Sequence, residues 1–465
     1  MINTIKNTKK KKERKTKKNN TKTSNIKVNG RKYKQKNGWI KMKIYGSPLE
    51  RGYAHGFLLR KELQKIRQSI LPFLVENSFP ERITYDKYEK DCRDNITEII
   101  REKYPEYYTE LEGISAGANY GSLSLKKEEQ ITIDFLIAWN SFLSMASFYN
   151  KRSAVDHCSA FIAIGDATEK GDIIMAHTTH SDFVSAKTLN IVLEIYPEKG
   201  NKIKMQTSPG LICSSADWFI CDNGIIGCET TIGGINVKPV FGVPYYCRIR
   251  EAMQYGNSLD DFITILSKDN AGDYANSWLL GDTREKTKEI MLLELGLNIR
   301  NIERKENGVF YGMNSAMSPI LREKETNDKS HWDMRETSGA RNIRFHILLY
   351  EEYYGKINIE NAKKIIADHY DVSETKETNG NNLTICKHTN LDPHKGKRGV
   401  YYPFGCTDGK VTNSSMARKM AFVGRMGPAC GTAFYAKKFL EKHPEYKKKW
   451  EKVLPDMLHE PWIYV

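Results

Sequence analysis

Cys158 heads the apolar run "CSAFIAIG", directly after Asp156 and His157, and the turn-forming residues "GDATEKGD" follow at once. A cysteine at the mouth of a strand is most often a small buried hydrophobe. The same placement also suits an N-terminal nucleophile. If the peptide bond before Cys158 is cut, the thiol sits on the first residue of a new chain. Its own α-amine, with a pKa near about 8, can then act as general base without a His–Asp relay. A thiol suits that role because a useful fraction ionises near neutral pH. A strand start would hold Sγ rigidly at a sheet edge, facing a cleft.

The elements around Cys158 change character at that residue. From about Gly46 to Tyr149, runs such as "RGYAHGFLLRKELQKIRQSILPFLVE" space their apolar residues as helices do. From Cys158 onward, "CSAFIAIGD", "DIIMAH", "TLNIVLEIYP" and "WFICDNGIIGCETTIGG" are short β-rich runs punctuated by turn residues. Helices are predicted at "VPYYCRIREAMQYG" and at "SLDDFITILSK", with Ser258 as N-cap of the second. They return at "ARNIRFHILLYEEYYG" and "NIENAKKIIADHY". Helices, then strands, then both again, without internal repeats, imply packed layers of sheet and helix in an α+β protein.

The chain has 465 residues and a net charge of +15. That charge is concentrated in residues 1–36, which hold 13 Lys and 2 Arg against one Glu. With so few large apolar residues, this stretch cannot offset its ordering entropy. The expected organisation is a disordered basic tail over 1–40, a helical segment over 41–157 and a core over 158–465. The tail lacks base-reading geometry, so no specific nucleic-acid partner is expected. No apolar h-region follows its charges as a secretory signal requires. "FLIAWNSFLSMASF" (135–148) is too short and too polar for a transmembrane segment and reads as a buried helix. The nine cysteines lack the tight pairs of a structural zinc site, so neither metal nor cofactor is expected.

Six separated segments resemble the phospholipase B-like family of N-terminal nucleophile hydrolases and, more loosely, the isopenicillin N acyltransferase family. "HCSAFI" (157–162) is similar to the family's processing site and "AHTTHSDF" (176–183) to its His-Asn-Thr-Trp stretch. "SPGLICSSADWFICDNGIIGCETTIGG" (208–234) resembles its Ser-x-Asp-Asp-Phe element and following strand, and "NAGDYANSWLLGD" (270–282) its asparagine segment. "GARNIRF" (339–345) and "PFGCTDGKVTNSSMARKMAFVGRMGPA" (403–429) complete the set in family order. Departures in the His-Asn-Thr-Trp stretch bear on substrate choice, with the family tryptophan being His180 here and the asparagine Thr178; the second aspartate of the Ser-x-Asp-Asp-Phe element is Trp218.

The resemblance implies a four-layer αββα sandwich and autoproteolysis between His157 and Cys158. It also implies hydrolysis of acyl ester or amide bonds of lipids through a cysteine thioester. Cys158 matches the nucleophile, and Asn276 matches an asparagine whose N–H would stabilise the oxyanion. Arg341 matches the active-site arginine and His177 the family histidine. Asp182 stands where the acyltransferases place an aspartate beside the nucleophile. The partners implied are an acyl lipid or N-acyl amide substrate and the chain's own cleaved N-terminal fragment. The family is secreted or lysosomal, whereas no signal peptide is visible here. The alternatives are an N-acyl amidase or acyltransferase of the same superfamily, or a catalytically silent member tethered by its basic tail.

Overall fold

The computed structural model describes residues 27–80, 82–121, 126, 129–149, 158–392 and 402–465. His157 and most of the basic tail lie outside the described residues. Two large sheets organise the rest. The first has nine strands, in the order Gly30–Lys32, Ile40–Gly46, Ile191–Pro197, Ile203–Thr207, Trp218–Cys221, Ile225–Thr231, Asn276–Asp282, Glu289–Leu295 and Arg300–Lys305. The second runs Gly308–Gly312, Cys158–Gly165, Gly171–Asp182, Asp408–Asn413, Val423–Met426 and Ile463–Tyr464, with Phe404–Cys406 also paired to Gly171–Asp182.

Side-chain alternation along the strands divides the apolar residues into three main cores. Within Cys158–Gly165, Ala160, Ile162 and Ile164 face a core shared with Trp218, Ile226, Leu279 and Leu292 of the first sheet. Phe161 and Ala163 point the other way, onto Phe345, Leu348, Ile365 and Ile366. On the far side of the first sheet, Met42, Ile44, Leu193 and Phe219 meet Leu111, Tyr246 and Phe262. Because successive residues of a strand face opposite sides, Cys158 points the same way as Ala160 and Ile162, between the sheets.

The expected helices are present in the core: Tyr245–Tyr255, Leu259–Ser267, Thr337–His346 and Ile359–Ile366. Ser258 caps the second by accepting from the Asp261 N–H. Within the N-terminal segment the pattern "YEKDCRDNITEIIREKYPEYYTELEGISAGAN" divides into Tyr85–Lys103 and Pro105–Ala118. Pro105 disfavours helical backbone at Tyr104 and starts a new helix. The region read as one buried helix is two, Ile133–Asn140 and Phe142–Phe148. No described helix is long and apolar enough to cross a membrane.

The N-terminal boundaries need correction. Residues 30–32 and 40–46 are strands, not tail or helix. Ile40, Met42 and Ile44 alternate with lysines at a period of two and are buried on one face. Ile40–Gly46 pairs in parallel with Ile191–Pro197, so the N-terminal segment supplies an integral strand to the core sheet. Its helices Pro48–Leu58 and Pro105–Ala118 cross on glycines. A Cβ at Gly56 would stand 2.0 Å from Ile114 O, and one at Gly117 would stand 2.1 Å from Tyr53 O. "RGYAHG" and "EGISAG" are thus the two halves of one close helix contact.

Candidate active site

Cys158 is fully buried and held at each polar atom. Its backbone N–H donates to Asn314 Oδ1 at 3.2 Å, and its carbonyl accepts from Arg341 Nη1 at 2.7 Å. Its thiol stands 3.5 Å from Asp217 Oδ2. The Arg341 guanidinium also donates to Asn314 Oδ1 twice, at 3.1 Å, and to Ser159 Oγ. Asn314 Nδ2 donates to Thr231 O, which ties the cluster to the facing sheet. Asn314 and Asp217 both have left-handed backbone, with φ of 73° and 53°. Such conformations are costly for residues other than glycine and concentrate at functional sites. Here the two flank one thiol.

His177 lies two residues along its strand from Thr179, the cross-strand neighbour of Cys158. A His177 ring nitrogen, the Cys158 sulfur and an Asp217 oxygen all lie within 4.8 Å of one another. His177 Nε2–H donates to Glu229 O at 3.1 Å, which leaves Nδ1 as a bare acceptor. Burial, reinforced by the Lys410 charge, holds this imidazole neutral. His180 faces the opposite side and donates to Ile385 O.

Two further expectations change. Asp182 lies three residues beyond Thr179, about 10 Å along the strand at 3.3 Å per residue. Its carboxylate engages Tyr402 instead. The carboxyl beside the thiol is Asp217, the first aspartate of the "SSADW" segment. Asn276, with its amide oriented to satisfy its neighbours, donates to Ala275 O and Glu229 Oε2, both at 2.9 Å. Those bonds occupy both of its N–H groups, so it holds an acid pair and presents no preformed oxyanion donor. Sequence reasoning missed Asn314, Glu229 and Lys410. Glu229 and Lys410 lay inside the family-like segments, whereas Asn314 in "YGMNSAMSP" lay outside them.

The electrostatics are those of a dormant thiol. Burial raises Cys158 well above the ordinary thiol range, and Asp217 and Glu229 add to the effect. The Asp217 and Glu229 carboxyls hydrogen-bond each other. Burial raises Asp217 to about 6, against the lowering influence of its bond to Glu229 and the Lys410 charge. Burial and Asp217 drive Glu229 up strongly. Lys410 Nζ donates to Thr179 Oγ1, Ala216 O and Asp408, and so fixes the loop that carries Asp217.

A group whose folded pKa is raised contributes stability at low pH and loses it as the pH rises. Asp217 therefore contributes stability below about pH 4, lost as pH rises through about 6. Asp217→Asn should flatten that limb in melting temperatures recorded from pH 4 to 7. An unchanged slope would assign it to other groups.

Beside Asp217 lies a cavity of about 90 Å³. Thr179, Asp217, Tyr245 and Tyr274 bound its core side, while Leu74, Trp139, Phe142 and Leu143 form an apolar wall from the N-terminal segment.

A mixed α/β scaffold with a strand-heading cysteine buried against paired carboxyls is the class that fold and site define. A family model described as Phospholipase B matches residues 100–300. "Phospholipase-B 81" of Drysdalia coronoides is 25% identical over 475 residues, covering 85% of this chain and 80% of that protein. "Phospholipase B" of Crotalus adamanteus is 23% identical, covering 81% and 75%. An uncharacterized protein of Archaeoglobus fulgidus is 24% identical over 271 residues, 56% of this chain and 44% of its own length. The chain is thus similar over most of its length to proteins named phospholipase B, and its middle part matches that family's model. Among solved structures, a mutant conjugated bile acid hydrolase from Clostridium perfringens matches with a TM-score of 0.32 at 7% identity. The match covers 58% of this chain and 89% of that one.

Proposed function

We propose that this chain is a phospholipase B-like N-terminal nucleophile hydrolase, matured by cleavage between His157 and Cys158. The observation that carries the reading is the anchoring of Cys158 at N–H, carbonyl and thiol by Asn314, Arg341 and Asp217. The three apolar cores flanking two sheets support a four-layer αββα sandwich. The Cys158 thiol attacks the His157 carbonyl and the peptide nitrogen takes a proton, giving a thioester by an N→S acyl shift. Water then hydrolyses the thioester, and Cys158 gains a free α-amine next to its own sulfur. Asn314 Oδ1, already the acceptor of that N–H, orients the amine. Arg341 holds the Cys158 carbonyl, so it is a positioning residue.

In the mature protein the amine takes the thiol proton, and the thiolate attacks an acyl ester or amide carbonyl. The alcohol or amine departs with that proton, and water releases the acid from the thioester. His177, whose ring reaches within 4.8 Å of the thiol, supplies a second neutral base in the cluster. Asn276 can serve the oxyanion only by exchanging its Glu229 bond for the substrate. The apolar wall of Leu74, Trp139, Phe142 and Leu143 suits the acyl chain. Residues 1–157 remain as a noncovalent light chain because they supply that wall and a core strand.

Intact-mass spectrometry of the purified protein should show two fragments, the larger beginning at Cys158. Lysophospholipids and N-acyl amides assayed side by side distinguish the lipase reading from the amidase alternative. An uncleaved chain that turns over neither class would favour the silent, tail-tethered alternative. An uncleaved but active chain would overturn the maturation scheme.

A further inference from the structure

We propose that His369, Cys386, His388 and Cys430 form a structural zinc site, separate from the catalytic cluster. The four residues are spread over about sixty positions, which is why cysteine spacing did not reveal them. Folding brings one donor atom of each within 4.8 Å of the others. Cys386 Sγ and Cys430 Sγ each stand 3.4 Å from His388 Nε2. A neutral imidazole nitrogen has one lone pair or one proton, so it cannot pair fully with two thiols. A metal ion between the three resolves the conflict. With Zn–S of about 2.3 Å and Zn–N of about 2.0 Å, a tetrahedral centre separates sulfur from nitrogen by about 3.5 Å, close to the spacing seen.

Independent features point to the same space. His369 Nε2 is buried without a hydrogen-bond partner among the described residues. The His369 and His388 rings meet edge to face with centroids 5.0 Å apart. Gly380, at a φ of 92°, closes over them, and a Cβ there would stand 2.3 Å from His388 Cδ2 and 3.2 Å from His369 Nε2. Two thiolates and two neutral imidazoles are a donor set suited to zinc rather than calcium or magnesium. Binding releases the two thiol protons to solvent, with no change of oxidation state.

The position gives the ion a task. Ile385 O, next to Cys386, accepts from Ser159 Oγ at 3.2 Å and from His180 Nε2 at 3.1 Å. Lys387 O accepts from the Cys406 N–H at 2.8 Å. The ion therefore fastens the C-terminal loop at Cys430 to the segment that braces the residue after Cys158.

The full-length chain, expressed with added zinc and purified under reductant without chelator, should carry about one zinc per chain by elemental mass spectrometry. The Cys386→Ser/Cys430→Ser double variant should fall at least tenfold below that, while Cys247→Ser keeps the metal. Should the double variant fail to fold, cobalt exchanged into the native chain decides. Thiolate charge-transfer absorption with tetrahedral d–d bands is expected. A reduced chain that takes up neither metal overturns the site, as does a peptide map showing Cys386 disulfide-bonded to Cys430 in reduced preparations.

Discussion

Cys158→Ala is expected to leave a single chain of 53.4 kDa and to lower turnover of any acyl substrate by about 10⁴-fold or more, the usual result of removing a nucleophile. The fold should survive, because alanine replaces a small buried group and Ala160 and Ile162 keep the strand seated. Melting temperature and circular dichroism check that point. Cys158→Ser tests the chemistry more finely. A hydroxyl can make the same acyl shift through an ester, but its far higher pKa leaves less nucleophile near neutrality, so cleavage should slow markedly. Arg341 and Asn314 would still hold the residue in place, so any slowing reports nucleophilicity and not position. A Cys158→Ala protein that is cleaved at the usual site, or that keeps native activity, would remove Cys158 from the mechanism.

Glu110→Ala should have the largest effect on stability. Glu110 is fully buried between Arg51, at 2.6 Å, and Arg250, at 3.2 Å. Arg51 and Glu110 belong to the N-terminal segment, whereas Arg250 is on a core helix, so the triad spans the junction that maturation would make noncovalent. Burial alone would raise the Glu110 pKa, but the Arg250 and Arg51 charges outweigh it and hold the carboxyl at about 2. Removing it leaves two buried guanidinium groups facing each other, at a cost of about 3–5 kcal/mol. In the cleaved protein that weakens fragment association by about 10²–10⁴-fold, readable as fragment loss on dilution and gel filtration.

Replacing the triad with apolar residues, as in Arg51→Met/Glu110→Leu/Arg250→Met, should recover most of the loss. The pH dependence has a definite sign. The depressed carboxyl contributes stability at pH above about 4.5 that is lost as the pH falls through about 2, so the fragments should separate at the acid end. A Glu110→Ala complex as tight as wild type, with an unchanged acid limit, would show that the triad does not hold the junction.

Much of the site was legible because it is written in short segments. Cys158 was marked by its place before an apolar run, and "AHTTHSDF" supplied His177 two residues before the cross-strand neighbour of Cys158. Asp182 was misjudged because a strand carries each residue about 3.3 Å onward, so three positions move a carboxylate out of contact. Asn276 stands against Glu229 at the edge of this cluster, and its bonds depend on that residue, which arrives from another strand. Asn314 could not be found by pattern. It serves through a left-handed turn that brings one side chain onto both Cys158 and Arg341.

The sequence by itself determined the local elements: the period-two strands, the Ser258 cap, the break at Pro105 and the cysteine poised at a strand mouth. These depend on interactions within a few residues. Tertiary structure alone decided that Asp217, not Asp182, faces the thiol, and that Ile40–Gly46 joins the core sheet. It also decided that Glu110 and Arg250 share one buried contact, and that two histidines and two cysteines converge outside the catalytic cluster. Each of those depends on which faces meet when the layers pack. That choice is made by burying apolar area across the whole chain, and no short window of residues records it.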